Sequence, residues 1–377
     1  MRVMVVGDGG REHALVWKLV GEDEVDSVFA VPGNPGTADI ANNVQLKLDN
    51  TGGLIDFARS QKIDLTFVGP EAPLVQGLVD EFQQAGLAVF GPPAAGARLE
   101  GSKVFAKEFM DKAGIPTADY RIFEEAGQAL SYVDDRELPL VVKADGLAAG
   151  KGVTVAQTRD QACQAVEEIM IEKKFGQAGD RVIIEEMLEG QEATVLAVIQ
   201  PTLAELQTRG IDYRGILYCG LMIKDSEPVV LEYNVRFGDP EAQAILPLLE
   251  TDLTEIARAT LEGRLEEAEI KWKSKSAACV VMASGGYPGD YETGKEITGL
   301  EQVKKMNNTV VFQAGTACEG NRLITDGGRV LGVTGVAGTL EQAITRSYEG
   351  VAKINFAGAH YRSDIGSAPL ERVIYHV

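Results

Sequence analysis

The chain has 377 residues, 45% of them hydrophobic, and a mean hydropathy of −0.04, which exceeds one ordinary core and reads as about two or three globular domains. Its 36 Lys and Arg against 56 Asp and Glu give a formal net charge of −20, which argues against a nucleic-acid partner. No apolar run reaches the length of a membrane span.

The opening residues Met-Arg-Val-Met-Val-Val-Gly read as a strand and turn without a signal-peptide pattern. Cys163, Cys219, Cys279 and Cys318 lack CxxC spacing, so neither a zinc site nor a disulfide framework is expected. Reduced thiols in a cytoplasmic protein fit best. His13, His360 and His376 are too few and scattered for a histidine metal cluster.

The first hundred residues alternate strand and helix. Strands are expected at 2–6, 27–31, 65–68 and 88–90, with helices at 11–20 and 54–61. Pro73 is placed to start a further helix, in which Leu74, Leu78 and Phe82 recur every four residues. The pattern predicts a doubly wound parallel sheet, with ligands at the carboxyl ends of its strands, where the Gly/Pro-rich turns lie. Ser102 caps a helix through Lys112, closed by Gly114 and Pro116. Beyond it the elements are mixed: strands at 138–143, 182–185, 191–199 and 229–233, and a helix at 160–172. A glycine-rich third region begins at Ala277, and its last helix is expected over 340–352.

Three segments carry chemistry. In residues 141–153 a β-branched strand ends in Lys143 and opens into a turn holding Gly146, Gly150, Lys151 and Gly152. Such glycines admit an anion close to the backbone, and two ammonium groups add charge beside it. The same residues would also suit a surface turn with solvated lysines. Three residues separate Gly146 from Gly150, and Gly152 follows Lys151, so this is not a Walker loop.

In Glu232-Tyr233-Asn234, strand alternation puts the carboxylate and the amide on one face with Arg236 two residues on. That is an all-oxygen pair suited to a hard cation shared with a nucleotide. A half-buried edge strand is the plainer alternative, which the preceding Val229-Val230-Leu231 disfavours. The opening Gly7-Asp8-Gly9-Gly10-Arg11-Glu12 half resembles a dinucleotide fingerprint, but Glu12 stands where the third glycine belongs. NAD binding is therefore disfavoured, while a phosphate or carboxylate at this helix start is not. A tight structural turn would explain the glycines alone.

Together these segments resemble the phosphoribosylamine–glycine ligase family of ATP-grasp enzymes. The resemblance rests on Val6–Ala14, Pro32–Thr37, Val68–Val75, Leu99–Lys103, Lys143–Gly152, Arg236–Glu241 and Gly285–Tyr291, which span nearly the whole chain. It implies an α/β and α+β architecture: a doubly wound N-terminal domain (1–100), a two-lobed ATP-grasp domain (101–274, with a lid lobe about 117–187) and a small C-terminal α+β domain (275–377). It implies ATP as cosubstrate with Mg²⁺ or Mn²⁺, and glycine and 5-phosphoribosylamine as substrates, in a cytoplasmic monomer without nucleic-acid or membrane partners.

Residue by residue, the resemblance puts Lys103 and Lys143 on phosphates, with Gly146, Gly150, Lys151 and Gly152 in a lid. Glu185, Glu186 and Leu188 would line the adenine pocket, with Glu192 at the ribose and Glu232 and Asn234 on the metal. Phosphoribosylamine would lie near Gly9, Gly10, Arg11 and Glu12 and near Pro32, Gly33, Asn34 and Gly36. Arg236 and Asp239 would stand by glycine and the transferring phosphoryl group.

One departure stands out: the family carries a long segment, including a basic stretch and a Gly-Pro-Asn-Thr-Gly-Gly-Met-Gly run, where Gln200 here meets Pro201. With every flanking motif intact, Gln200 and Pro201 are expected not to be neighbours in the natural chain. An intact mass above 40.4 kDa is the expected result, and a mass equal to it contradicts the expectation.

Overall fold

The computed structural model describes residues 1–148, 152–188, 191–193, 198–224 and 227–366, with the side chains of 191–193 and 227 outside that set. Gly150, Lys151 and the side chain of Glu192 therefore lie outside the described residues. The chain forms two compact units, one of Met1–Gly69, Gly86–Val89 and Gly238–Val377, the other of Pro70–Ala85 and Phe90–Phe237.

The first unit is built on a sheet in the spatial order Asn42–Asn43, Ser27–Pro32, Arg2–Gly7, Leu65–Val68, Val89–Phe90. Arg2–Gly7 pairs in parallel with both its neighbours, Val3 lying opposite Val28 and Leu65. Val3, Met4, Val5 and Val6 are all fully buried, as a parallel strand covered on both faces requires. This is the expected doubly wound sheet. The strand order reverses between Arg2–Gly7 and Leu65–Val68, whose carboxyl ends carry Gly7 and Gly69.

The same unit holds an antiparallel sheet of Ser276–Ala283, Arg329–Ala337 and Thr309–Gln313. The helix Leu340–Val351 lies close against it. A Cβ at Gly335 would meet the Ala343 carbonyl at 2.4 Å, so only glycine permits this approach. Ser347 Oγ accepts from Gly335 N at 2.9 Å and donates to Ala278 O. Distant parts of the chain are tied in by Glu22, a buried carboxylate that caps the helix Leu253–Leu261 by accepting from Leu253 N, Thr254 N and Thr254 Oγ1.

The second unit contains a four-stranded antiparallel sheet in the order Tyr120–Phe123, Val182–Glu186, Leu140–Ala144, Val153–Ala156. One face packs on Val133, Ala162, Val166 and Ile169. A second sheet comprises Gln191–Ala193, Tyr218–Lys224 and Glu227–Asn234. Thr117 Oγ1 donates to Val230 O at 2.9 Å, joining the segment before the first sheet to the last strand of the second.

Three elements depart from the sequence reading. The helix expected around Leu74, Leu78 and Phe82 is two helices, Glu71–Val75 and Leu78–Gln84, divided at Gly77 with φ +91°. The helix over 160–172 is α-helical for Arg159–Val166 and then widens into a π turn, Glu167–Ile171. The strand over 191–199 is present for Gln191–Ala193, but Ile199 opens a helix, Ile199–Thr208. The chain passes from Gln200 to Pro201 within its first turn, where a missing N–H costs nothing. Thr202 Oγ1 then donates back to Val198 O.

Candidate active site

In the second unit, strand alternation and helical spacing converge on one cavity of about 490 Å³. Leu140, Val142 and Ala144 enter the core, so Val141 and Lys143 face the cavity. Val182 and Ile184 enter the same core, which turns Glu185 to the cavity face. Lys143 pairs opposite Ile183, and Val141 opposite Glu185. Lys143 and Glu185 are thus diagonal neighbours, and Lys143 Nζ donates to Glu185 Oε2 at 2.8 Å.

The helix Lys103–Ala113 presents Lys103, Ala106, Lys107 and Met110 to the cavity, a stripe at spacings of three and four. Its start is fixed by Ser102, whose Oγ accepts from Phe105 N at 3.1 Å and donates to Asp145 Oδ1 at 3.0 Å. Asp145 also accepts from Val104 N and pairs with Arg181, which fastens the turn after Lys143 to the helix. Lys103 Nζ donates to Gly146 O at 3.0 Å, and Gly146 has φ +139°, open only to glycine. Gly152 O accepts from Ala144 N, closing the far side of the turn.

The electrostatics are lopsided. Lys107 Nζ lies 3.2 Å from Glu185 Oε1, so one buried carboxylate faces two ammonium groups, with Lys103 a third in the same cavity. Burial, and then the charge of Lys143, lowers the Lys103 pKa below the ordinary lysine value. Burial likewise lowers Lys107, against the pull of Glu185. Around Glu185 the three ammonium groups outnumber the carboxylate, although Glu232 and Asp145 also act on Lys103, and this local cluster of desolvated lysines is a seat for an anion.

Glu232 and Asn234 also lie on the cavity wall, Glu232 close enough for its charge to act on Lys103, while Tyr233 between them is buried and bonded through its hydroxyl to Thr202 Oγ1. Gly220 lies under Glu232, whose Cγ sits 3.2 Å from where a Cβ would be. The donor set is a carboxylate and an amide oxygen, which fits Mg²⁺ or Mn²⁺ holding phosphate oxygens as its other ligands. Among the described residues, no three His, Cys, Asp or Glu gather into a complete metal cage.

Arg236 also lines the cavity. Its Nη2 lies 2.7 Å from Glu100 Oε1 and its Nε 3.4 Å from Glu71 Oε2. Glu186, Leu188, Val155, Met222 and Leu231 form the more apolar wall.

The other candidates belong to the first unit. Glu12 is 2% exposed, and its Oε2 accepts from Gly9 N at 2.7 Å while Oε1 accepts from Arg11 Nε at 2.6 Å. Side chains at Gly9 or Gly69 would strike this carboxylate, at 2.7 and 2.1 Å. Glu12 is thus lodged at the carboxyl ends of the two central strands. Asn34 is spent in the same way: Nδ2 donates to Asp8 O and Gln313 O, and Oδ1 accepts from Thr37 N. Gly33 has φ +70° and donates its N–H to Gly7 O, beside Pro32.

Asp239 faces this loop, its Oδ2 3.9 Å from a Cβ built on Gly9, and it holds Gln243 and Arg329. Gly10 sits against Gln243. Burial raises the Asp8 pKa, opposed by Arg11 and assisted by Asp326. Sequence reading did not single out Asp326 and Arg329 as loop neighbours. The turn Asp326-Gly327-Gly328-Arg329 carries no local signal that ties it to Asp8 or Asp239.

A cavity between a lysine-bearing sheet and an oxygen-rich strand, on this topology, defines an ATP-grasp ligase. Family models for phosphoribosylglycinamide synthetase match most of the chain: the N domain over 1–100, the ATP-grasp domain over 101–200 and 196–242, and the C domain over 277–368. The chain belongs to the phosphoribosylglycinamide synthetase family.

It is 46% identical to phosphoribosylamine–glycine ligase from Nostoc sp. over 422 aligned residues, covering 97% of this chain and 99% of that one. The crystal structure of phosphoribosylamine–glycine ligase from Thermotoga maritima is similar with a TM-score of 0.80 at 30% identity, covering 97% of this chain and 100% of that one. The biotin carboxylase domain of Hydrogenobacter thermophilus 2-oxoglutarate carboxylase, solved with MgADP, shares the fold alone. Its TM-score is 0.70 at 14% identity, covering 96% of this chain and 91% of that one.

His13 reports on the packing of the N-terminal loop. Its Nδ1 accepts from Gln313 N at 2.8 Å, which requires the neutral ring, and its edge packs on Gly36. Burial lowers its pKa from 6.5 to about 4. Between those values the unfolded chain binds a proton that the folded chain refuses, so this stability is present above pH 6.5 and lost as the pH falls toward 4. Relative to His13→Asn, whose Oδ1 can take the same hydrogen bond, the parent should lose about 3 kcal/mol more between pH 7 and 4 in urea unfolding. Parallel pH profiles for the two proteins contradict this.

Proposed function

We propose that this chain joins the carboxyl group of glycine to the amine of 5-phosphoribosylamine, converting ATP to ADP and phosphate in purine biosynthesis. The observation that carries the reading is one cavity lined together by Lys103, Lys143, Glu232, Asn234 and Arg236, in a chain matched by this family over most of its length.

A carboxylate is a poor acyl donor, so the γ-phosphoryl group of ATP passes first to a glycine oxygen, forming glycyl phosphate. Lys103 and Lys143 hold the phosphates and spread their charge, which is the chief demand of phosphoryl transfer. Mg²⁺ or Mn²⁺ held by Glu232 and Asn234 would neutralise phosphate charge. The apolar wall, with the backbone of Glu186 to Leu188, receives adenine, and Glu192 the ribose. The turn from Gly146 to Gly152, including Gly150 and Lys151, covers the phosphates and keeps water from the acyl phosphate.

Arg236 can leave Glu71 and Glu100 for an incoming anion, and Asp239 stands by the reacting groups. The amine then attacks the acyl carbon and phosphate leaves. Phosphoribosylamine is received by the loops at Gly9–Glu12 and Pro32–Gly36, with Glu12 and Asn34 holding those loops in shape. The enzyme works as a cytoplasmic monomer, and in the natural chain a further segment separates Gln200 from Pro201.

ADP release that requires both glycine and phosphoribosylamine is the expected result. Lys143→Ala should lower kcat/KM by about a hundredfold or more. Undiminished turnover in that variant, or equal turnover with bicarbonate or formate replacing glycine, contradicts the proposal.

A further inference from the structure

Lys107 has no part in the assignments above, yet it is only 2% exposed on the cavity lining. Its Nζ donates to Thr117 Oγ1 at 2.7 Å, approaches Ala118 O at 3.5 Å, and lies 5.1 Å from the centre of the Tyr120 ring. Among the described residues its one charged partner in contact is Glu185, at 3.2 Å from Oε1. Glu185, itself 3% exposed, gives its other oxygen to Lys143. Among the described residues Oε1 accepts no well-angled hydrogen bond, so Lys107 holds it by charge.

A buried ammonium is costly without a function or a full partner. Had Glu185 faced Lys143 alone, the pair would be neutral, and a triphosphate would meet a lysine already compensated. With Lys107 behind it, the three groups together carry one net positive charge at the cavity wall.

We propose that Lys107 is a positioning residue for the nucleotide: it takes up the charge of Glu185 from behind, so that Lys143 is oriented by that carboxylate without being neutralised by it. The inference rests on reading the cavity as the ATP site and adds a residue to it. Lys107 itself touches no phosphate; it acts through Glu185.

The test is the affinity for MgATP and for uncharged adenosine, measured by calorimetry on the whole chain. Lys107→Met should weaken MgATP by about tenfold, because Lys143 is then compensated by Glu185, and should leave adenosine binding unchanged. The double variant Lys107→Met/Glu185→Gln removes both opposite charges and frees Lys143; because Glu185 also lines the nucleotide cavity, the readout is the ratio of MgATP to adenosine affinity, which should return to within about threefold of the parent's ratio. Should Lys107→Met fail to fold, Lys107→Gln, which can still donate to Thr117 and Ala118, carries the same expectation.

A purely structural role predicts equal losses for ATP and adenosine, and a double variant no better than the single; either result overturns the inference. A parent that binds no MgATP overturns the nucleotide reading and this inference with it. A parent that binds while Lys107→Met and Lys107→Gln bind equally well overturns the inference alone.

Discussion

Desolvated positive charge is the constraint around which the second unit is organised. A chain with 20 more acidic than basic groups cannot hold a polyanion by its general field, so it must place cations where water is scarce. Removing ammonium groups from water is unfavourable unless something negative stays with them. Glu185 supplies part of that charge between Lys107 and Lys143; in the proposed function the nucleotide's phosphates would supply the remainder. The fold makes this possible by two periodicities: Lys103 and Lys107 share a helix face at a spacing of four, and Lys143 and Glu185 share a sheet face on neighbouring strands.

The first unit solves a different problem with the same economy of groups. Its acidic and amide side chains at the loop, Glu12 and Asn34, are engaged with backbone N–H and C=O groups that no regular element serves. A loop held this rigidly keeps its shape before a ligand arrives, which is the condition for preorganised recognition. The glycines at 9, 33 and 69 are needed because side chains there would collide with Glu12, Asn43 or Thr37.

Much of this was legible in the sequence wherever a short-range pattern determines the outcome. The buried run Val3–Val6, the four-residue strand Leu65–Val68 and the cap at Ser102 all follow from local spacing and composition, as do the facing pair Glu232 and Asn234. Lys107 was not legible, because a lysine in an amphipathic helix reads as solvated until the partner strand is known. The side-chain direction of Glu185 was hidden for a related reason: adjacent acids at a strand end do not reveal which one turns inward. Gly77 divides a helix that its apolar spacing continues. Ile199 joins a helix although its own β-branched chemistry favours a strand, because Thr202, three residues on, ties the turn to Val198 and Tyr233. The contacts of Gln313 with His13 and Asn34 span some three hundred residues, and that of Arg329 with Asp239 spans 90, beyond any local signal.

The central claim is that the lysine wall and the Glu232–Asn234 strand grip one metal-bound triphosphate from opposite sides. Electron paramagnetic resonance of Mn²⁺ with the protein and ATP tests it most directly. The account predicts a stoichiometric Mn²⁺ site with phosphorus hyperfine coupling that forms only with ATP and is lost in Glu232→Gln. Mn²⁺ bound equally well by that variant, or bound without contact to phosphate, would contradict it.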